Sequence, residues 1–220
     1  MAEKTIAIIG GTGHQGPGLA LRWAKSSRYR VIIGSRDATK AQSVAESLNI
    51  RLGDHIIEGM HNAEAAAVAE IVVLTVPYSA HIEVLESIRA QLKGKVLVDV
   101  TVPLQPPHVS RVYVPPAGSA TAEAQALLGE EVRVVCAFQN VSAIRLSHLD
   151  EPVDCDVLVC GDDKDAKAEA IALAEAAGMR GFDAGPLQNA MVVEGLTAIL
   201  IGINKRYHAD GAGIKITGLP

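Results

Sequence analysis

Thr5 to Gly18, TIAIIGGTGHQGPG, is the stretch that decides how this chain folds. Ile6, Ala7, Ile8 and Ile9 make an apolar run of the kind a buried strand needs, and Gly11-Thr12-Gly13-His14-Gln15-Gly16 follows as a G-x-G-x-x-G turn. A run with helical spacing begins there. The three glycines serve different ends, since Gly11 allows a tight exit from the strand, Gly13 lets backbone amides close on a pyrophosphate, and Gly16 lets the helix lie against the sheet. Pro17 falls in the first helical turn, where its missing amide hydrogen is not needed. The helix start is left with unpaired amides and a partial positive charge, which favour phosphate. Strand, glycine turn and helix in that order predict a nucleotide site built from Gly11, Thr12, Gly13, His14, Gln15 and Gly16.

Working outward, Arg30 to Ile33 reads as a second strand and ends in Gly34-Ser35-Arg36. NAD sites carry an acidic residue about twenty positions past the glycines to hold both ribose hydroxyls, whereas NADP sites carry small polar and basic groups there. Ser35 and Arg36 occupy that point, with Lys40 one turn into the next helix, and together they predict a 2′-phosphate and hence NADP. Asp37 is acidic and close by, but before Ala38-Thr39-Lys40-Ala41 it reads as the cap of that helix.

Further strands at 55–58, Ile71 to Val76 and Lys95 to Val100 alternate with helices at 38–48, Asn62 to Ala69 and Ile82 to Leu92. Right-handed crossovers put the end of the fourth strand on the same rim as the glycine turn, so Val76 and Pro77 are expected beside the cofactor's ribose. The alternation predicts an α/β fold with a doubly wound parallel sheet.

A proline-rich loop, Leu104 to Ser119, interrupts the rhythm. Beyond it come a helix (Ala120 to Leu128), strands at Arg133 to Phe138 and Cys155 to Cys160 around the polar turn Gln139-Asn140-Val141-Ser142, and a helix from Lys164 capped by Gly161-Asp162-Asp163. A short strand near Met179 to Phe182, the turn Asp183-Ala184-Gly185-Pro186, a long helix from Gln188 to Tyr207 and a glycine-rich end complete the chain. With no repeat and no low-complexity linker, residues 1–130 are expected to form the NADP-binding unit and 131–220 a C-terminal extension and cap forming a second cleft.

Hydrophobic residues are 49% of the chain and aromatics only 3%, so the core must be aliphatic, as in a sheet covered on both faces. A formal charge of −5 with the signs interspersed gives no footprint for nucleic acid. Cys136, Cys155 and Cys160 are odd in number and lack C-x-x-C spacing, which fits buried reduced thiols in a cytoplasmic protein. MAEKTIAIIG enters its first strand with no room for a signal peptide. The apolar run Ala190 to Ile203 is interrupted by Glu194 and reads as too short for a bilayer. Met191, Val192, Val193, Leu196, Ile199, Leu200, Ile201 and Ile203 make that helix apolar on more faces than one core stripe requires, which predicts a homodimer with the helix at its interface.

No metal centre is expected, because the histidines are dispersed and unpaired at helical spacing. Ser142 lacks a G-x-S-x-G frame, and no tyrosine has a lysine four residues on, so no catalytic acid, base or nucleophile is assigned. Hydride passing directly between two redox cofactors needs positioning more than proton transfer.

Several segments then carry a resemblance to a known family. GGTGHQGPGLALR (Gly10 to Arg22), VIIGSR (Val31 to Arg36), VLTVP (Val73 to Pro77), VCGDD (Val159 to Asp163), DAGPL (Asp183 to Leu187) and GIK (Gly213 to Lys215) are similar, in order, to the NADPH-dependent reductases of the deazaflavin coenzyme F420. The resemblance spans nearly the whole chain. It implies a Rossmann-type fold, hydride transfer between NADP(H) and coenzyme F420, and NADP contacts at the glycine turn, Ser35, Arg36, Lys40, Val76, Val102, Ala143 and Ala212. The deazaflavin is expected in a cleft of the C-terminal half, where Arg111, Arg145, Lys205 and Arg206 are candidates for its anionic tail. Two other functions share the glycine turn: an NADPH-dependent flavin or ferric reductase, and a non-catalytic NADP-sensing module.

Overall fold

Strand β1 (Lys4–Ile9) lies inside the sheet, with β2 (Tyr29–Ser35) on one side and β4 (Ile71–Leu74) on the other, both parallel to it. The computed structural model describes residues 4–219; Met1–Glu3, on which the signal-peptide expectation partly rests, lie outside the described residues. With β3 (Ile57–His61), β5 (Val96–Asp99), β6 (Arg133–Cys136), β7 (Asp156–Gly161) and β8 (Arg180–Asp183), the sheet runs in the order β3-β2-β1-β4-β5-β6-β7-β8. The order of winding reverses between β1 and β4. Such a switch point opens a crevice at the carboxyl ends of the strands.

Both faces of the sheet are covered, as aliphatic strands without polar alternation require. Ile6, Ile8, Val31 and Ile33 point into a core with Leu19, Trp23, Ala41 and Leu173, supplied by α1 (Gln15–Lys25), α2 (Ala38–Leu52) and α7 (Lys164–Ala176). Their neighbours Ala7, Ile9, Ile32 and Val72 point the other way, because successive strand side chains alternate. There they meet Ala65, Leu85 and Ala124 of α3 (Asn62–Val68), α4 (His81–Leu92) and α5 (Ala120–Leu128). This is the doubly wound α/β arrangement expected from the sequence.

The second half differs in one respect from a plain continuation. Strand β7 is antiparallel to β6 and meets it at two residue pairs, Val135 with Gly161 and Cys136 with Cys160. Its remaining residues overhang the rim where β1, β4, β5 and β6 end, and pair in parallel with β8 from Asp156–Arg180 to Val159–Asp183. The turn before β7 also contains a helix absent from the sequence reading, α6 (Ala143–Ser147). Five residues are too few to show a helical period. Asp37 and Asp163 cap α2 and α7 as expected, each accepting first-turn amides.

The last helix, α8 (Ala190–Tyr207), buries Val193, Glu194, Ala198 and Leu200 but leaves Met191, Val192 and Ile199 in solvent. Together with its lead-in turn it runs 21 residues, from Leu187 to Tyr207, and by length and composition alone could cross a membrane. The helix ends at Tyr207 as read from the sequence; the run Ala190 to Ile203 is only its apolar stretch and leaves out polar Asn204, Lys205 and Arg206.

Candidate functional site

The glycine turn is built by close approach. Gly10 has φ +70, and a Cβ there would lie 2.4 Å from Val76 Cγ1. Gly11 donates its amide to the carbonyls of Ile8 (3.2 Å) and Gly34 (2.9 Å), which seats the turn between β1 and β2. A Cβ on Gly16 would fall 2.5 Å from Gly11 Cα, so the start of α1 rests directly on the turn. Gly13 is different. A Cβ there would meet Gly10 O at 3.5 Å and Thr75 O at 3.9 Å, ordinary contacts, and the residue is exposed. Among the described residues nothing demands glycine at 13; the open space suits a ligand pressed against the backbone. No side chain caps the first turn of α1, where His14 stands exposed.

A groove of about 280 Å³ opens beside this turn. Thr12, Gly13, Ser35, Arg36, Lys40, Val76 and Pro77 line it, so seven of the residues expected to hold NADP come together. Gly11 and Gly16 lie behind them as the frame of the turn. Asp37 lines the groove beside Arg36 and Lys40, but its carboxylate accepts the amides of Thr39 (2.9 Å) and Lys40 (3.2 Å), so its charge serves α2. The Arg36 side chain is 74% exposed, with Glu83 at 4.0 Å. Asn62 also lines the groove, 3% exposed, with Oδ1 accepting the Gly10 amide at 3.4 Å. It escaped the sequence reading because Asn62-Ala63 reads as an ordinary helix start.

Ala143 and Ala212 form a second group. Ala143 opens α6 behind its cap Ser142, and a Cβ on Gly211 would lie 2.6 Å from Ser142 Oγ, so the C-terminal segment packs against the start of α6. Asn204 Oδ1 fixes this segment by accepting the Ala212 amide at 2.8 Å. A depression of about 260 Å³ lies there, lined by Ser142, Arg145, Val153, Cys155, Gly211 and Gly213. Of the four candidate tail cations only Arg145 borders it; Arg111, Lys205 and Arg206 are exposed elsewhere. Gln15 links the two groups, donating from Nε2 to Val141 O at 3.1 Å. Val102 follows β5 on the same rim, its carbonyl accepting the Leu104 amide at 2.7 Å.

Under the rim lies a buried polar network that the sequence did not disclose, because its members come from separate β-α units. His81 Nε2 and Asp99 Oδ2 are 2.7 Å apart and fully buried. The other Asp99 oxygen accepts the Thr101 amide at 3.0 Å, and its carbonyl accepts Gln139 Nε2 at 2.6 Å. Burial opposes a charge on His81, but the charge and hydrogen bond of Asp99 outweigh it and raise the imidazole above its ordinary pKa. Glu194 accepts the amides of Ala120 (2.8 Å) and Thr121 (3.0 Å) and the Thr121 hydroxyl (2.7 Å) at the start of α5. Among the described residues no group of three His, Cys, Asp or Glu is placed to hold a metal.

Burial pushes the Glu194 carboxyl up to about 7, from an ordinary 4.5. The folded state therefore keeps a proton that the unfolded chain releases between those values. Stability from this group is present below the lower value and is lost as pH rises through the upper one. Between about pH 5.5 and about pH 7.5 the loss is about 2 kcal/mol, at 1.36 kcal/mol per pKa unit. Urea midpoints for the parent should fall across that window relative to Glu194→Gln, which cannot ionise. Parallel pH curves for the two would show that Glu194 does not titrate there.

The reversal between β1 and β4, the glycine turn and the groove beside it define a Rossmann-type α/β domain, the fold class of NADP-dependent reductases and dehydrogenases. Residues 5–103 match the family model described as "NADP oxidoreductase coenzyme F420-dependent". The chain is 42% identical to an F420-dependent NADP reductase of Methanocaldococcus jannaschii, covering 97% of this chain and 98% of that one. It is 47% identical to that of Methanothermobacter thermautotrophicus, covering 98% and 95%. A crystal structure from Arthrobacter sp. FB24, provisionally named an F420-dependent NADP reductase, superposes with a TM-score of 0.80 at 26% identity, covering 99% of this chain and 100% of that one. The chain belongs to the F420-dependent NADP reductase family.

Proposed function

We propose that this chain moves a hydride between NADP(H) and coenzyme F420, holding the first along the glycine turn and the second against its C-terminal half. One observation carries the placement of NADP: the open backbone at Gly13 lies in one groove with Ser35, Arg36 and Lys40. Family membership supplies the second partner. Gly11, Thr12, Gly13, His14, Gln15 and Gly16 cradle the pyrophosphate with the first-turn amides of α1. Ser35, Arg36 and Lys40 read the 2′-phosphate, Val76 and Pro77 flank the ribose, and Val102, Ala143 and Ala212 border the nicotinamide end. A bound deazaflavin supplies a carbon that accepts hydride as a two-electron unit. The chain's part is to bind, orient and shield.

Residues 1–130 act in this reading as the NADP unit and 131–220 as the wall for the second cofactor. The exposed Met191, Val192 and Ile199 of α8, with Val112 and Val114 also exposed on the proline-rich loop, suit a homodimer interface rather than a lipid or nucleic-acid surface. Light scattering at micromolar concentration should give twice the chain mass, and a monomer would remove the interface. The buried unpaired thiols Cys136, Cys155 and Cys160 suit the cytoplasm.

Mixing the protein with NADPH and oxidised F420 should bleach the deazaflavin absorbance, whereas FMN in its place should give little turnover. Turnover with FMN and none with F420 would replace this reading with that of a flavin reductase. Binding of NADPH with no turnover of either would leave a sensing module.

A further inference from the structure

Gln15, Gly18, Arg22 and Lys25 follow one another along α1 at spacings of three, four and three, and so share one face of the helix. All four engage the same piece of chain, the connection from β6 to β7. Gln15 donates to Val141 O at 3.1 Å, and Lys25 Nζ to Leu149 O at 3.2 Å. A Cβ on Gly18 would stand 2.6 Å from Leu146 Cβ, so α1 and α6 are at closest approach.

Arg22 makes most of the polar contacts in this seam. Its Nε donates to Leu146 O at 3.0 Å, and its Nη2 lies near three further carbonyls, those of Arg145 (3.1 Å), His148 (2.8 Å) and Glu151 (3.0 Å). The residue is 8% exposed, and among the described residues no carboxylate pairs with it. A buried cation without a counter-ion needs another source of negative potential. Here the carbonyls at the end of α6 provide it. They converge on a planar fork, a geometry a lysine cannot match.

We propose that Arg22 is a positioning residue for hydride transfer: it sets α6, and with it Ser142 and Ala143, at a fixed distance from the dinucleotide held at the start of α1. The proposal rests on the function argued above. The glycine turn holds the pyrophosphate of NADP and Ala143 at the start of α6 borders its nicotinamide end, so the α1–α6 seam sets where the nicotinamide stands relative to the deazaflavin side. Misplacement by about 1 Å far from the chemistry can lower turnover about a hundredfold.

Arg22→Ala and Arg22→Lys should therefore bind NADPH within about twofold of the parent, by fluorescence titration, because the glycine turn does not use Arg22. With saturating NADPH and F420, kcat should fall about ten- to a hundredfold in both. Millimolar guanidinium added to Arg22→Ala should restore part of kcat, and should do nothing for Arg22→Lys, whose ammonium fills the site. Arg22→Lys keeps the test open if the alanine variant does not fold. A lowered melting temperature with unchanged kcat would make Arg22 a stabilising residue only, and NADPH affinity falling in step with kcat would mean that it supports the glycine turn instead. A parent protein that binds NADPH but does not reduce F420 overturns the function and this inference together. An active parent with fully active variants overturns the inference alone.

Discussion

Gly13→Ala should lose about a hundredfold or more in affinity for NADPH and for NADH alike, yet melt like the parent. The added methyl would touch only Gly10 O at 3.5 Å and Thr75 O at 3.9 Å, so the fold has room for it. Exposed substitutions of this kind usually change stability by less than about 0.5 kcal/mol. The methyl would nonetheless stand where the pyrophosphate approaches the first-turn amides. Losing two charge-assisted hydrogen bonds at about 1.5–3 kcal/mol each removes about 3–6 kcal/mol of binding. At about 1.4 kcal/mol per tenfold, that is a hundredfold or more. Gly16→Ala should fail differently, since its methyl would lie 2.5 Å from Gly11 Cα and the turn must move. There the melting temperature should drop first, as overpacking costs about 1–3 kcal/mol or more. Titration calorimetry and thermal melts on the two variants separate the cases. A Gly13→Ala protein that binds NADPH like the parent would place the pyrophosphate elsewhere.

Arg36→Ala should raise KM for NADPH roughly ten- to a hundredfold and leave NADH almost untouched. A charge-assisted contact to the 2′-phosphate contributes about 1.5–3 kcal/mol, and at a side chain 74% exposed the lower end applies. The contact is remote from the reacting carbon and is made equally in ground and transition states, so kcat should change little. Lys40→Ala should act in the same direction but more weakly, since lysine offers a point charge where arginine offers a fork. Equal losses for NADH and NADPH in Arg36→Ala would show that this end of the groove does not read the phosphate.

The central parallel strands were legible because β1, β2, β4 and β5 are apolar runs closed by a turn residue: Ile6 to Ile9, Val31 to Ile33, Val72 to Leu74 and Leu97 to Val98 need no long-range knowledge. Caps were equally local, since Asp37 and Asp163 act within three residues of themselves. What stayed hidden was relational. Strand β7 has the same apolar signature in either direction, and its reversal emerges only from pairing with β6. His81 and Asp99 lie 18 residues apart and meet through β5 and α4. Asn62 and Arg22 behave alike in this respect: asparagine at a helix start and arginine on a helix look solvated until the chain closes over them. Within the site, the motif gave the groove at Gly13, Ser35 and Arg36, but not the separation of Ala143 and Ala212 from it.

Helix α1 has almost no surface of its own. Eight of its eleven residues, Gly16 and Gly18 to Ala24 without a break, are buried. Trp23 donates to Leu173 O at 2.8 Å, while its neighbour Arg22 donates to Leu146 O at 3.0 Å. A helix normally carries a polar side on which sequence can drift without effect. Helix α2 has one, with only Ala41, Ala45, Leu48 and Asn49 buried among fifteen residues. Helix α1 has none, so neutral change has nowhere to accumulate in it. In a library that replaces every position one at a time, α1 should stand out as a nearly unbroken block of intolerant sites beside a permissive α2. Descendants of this sequence should diverge around α1 long before they diverge within it.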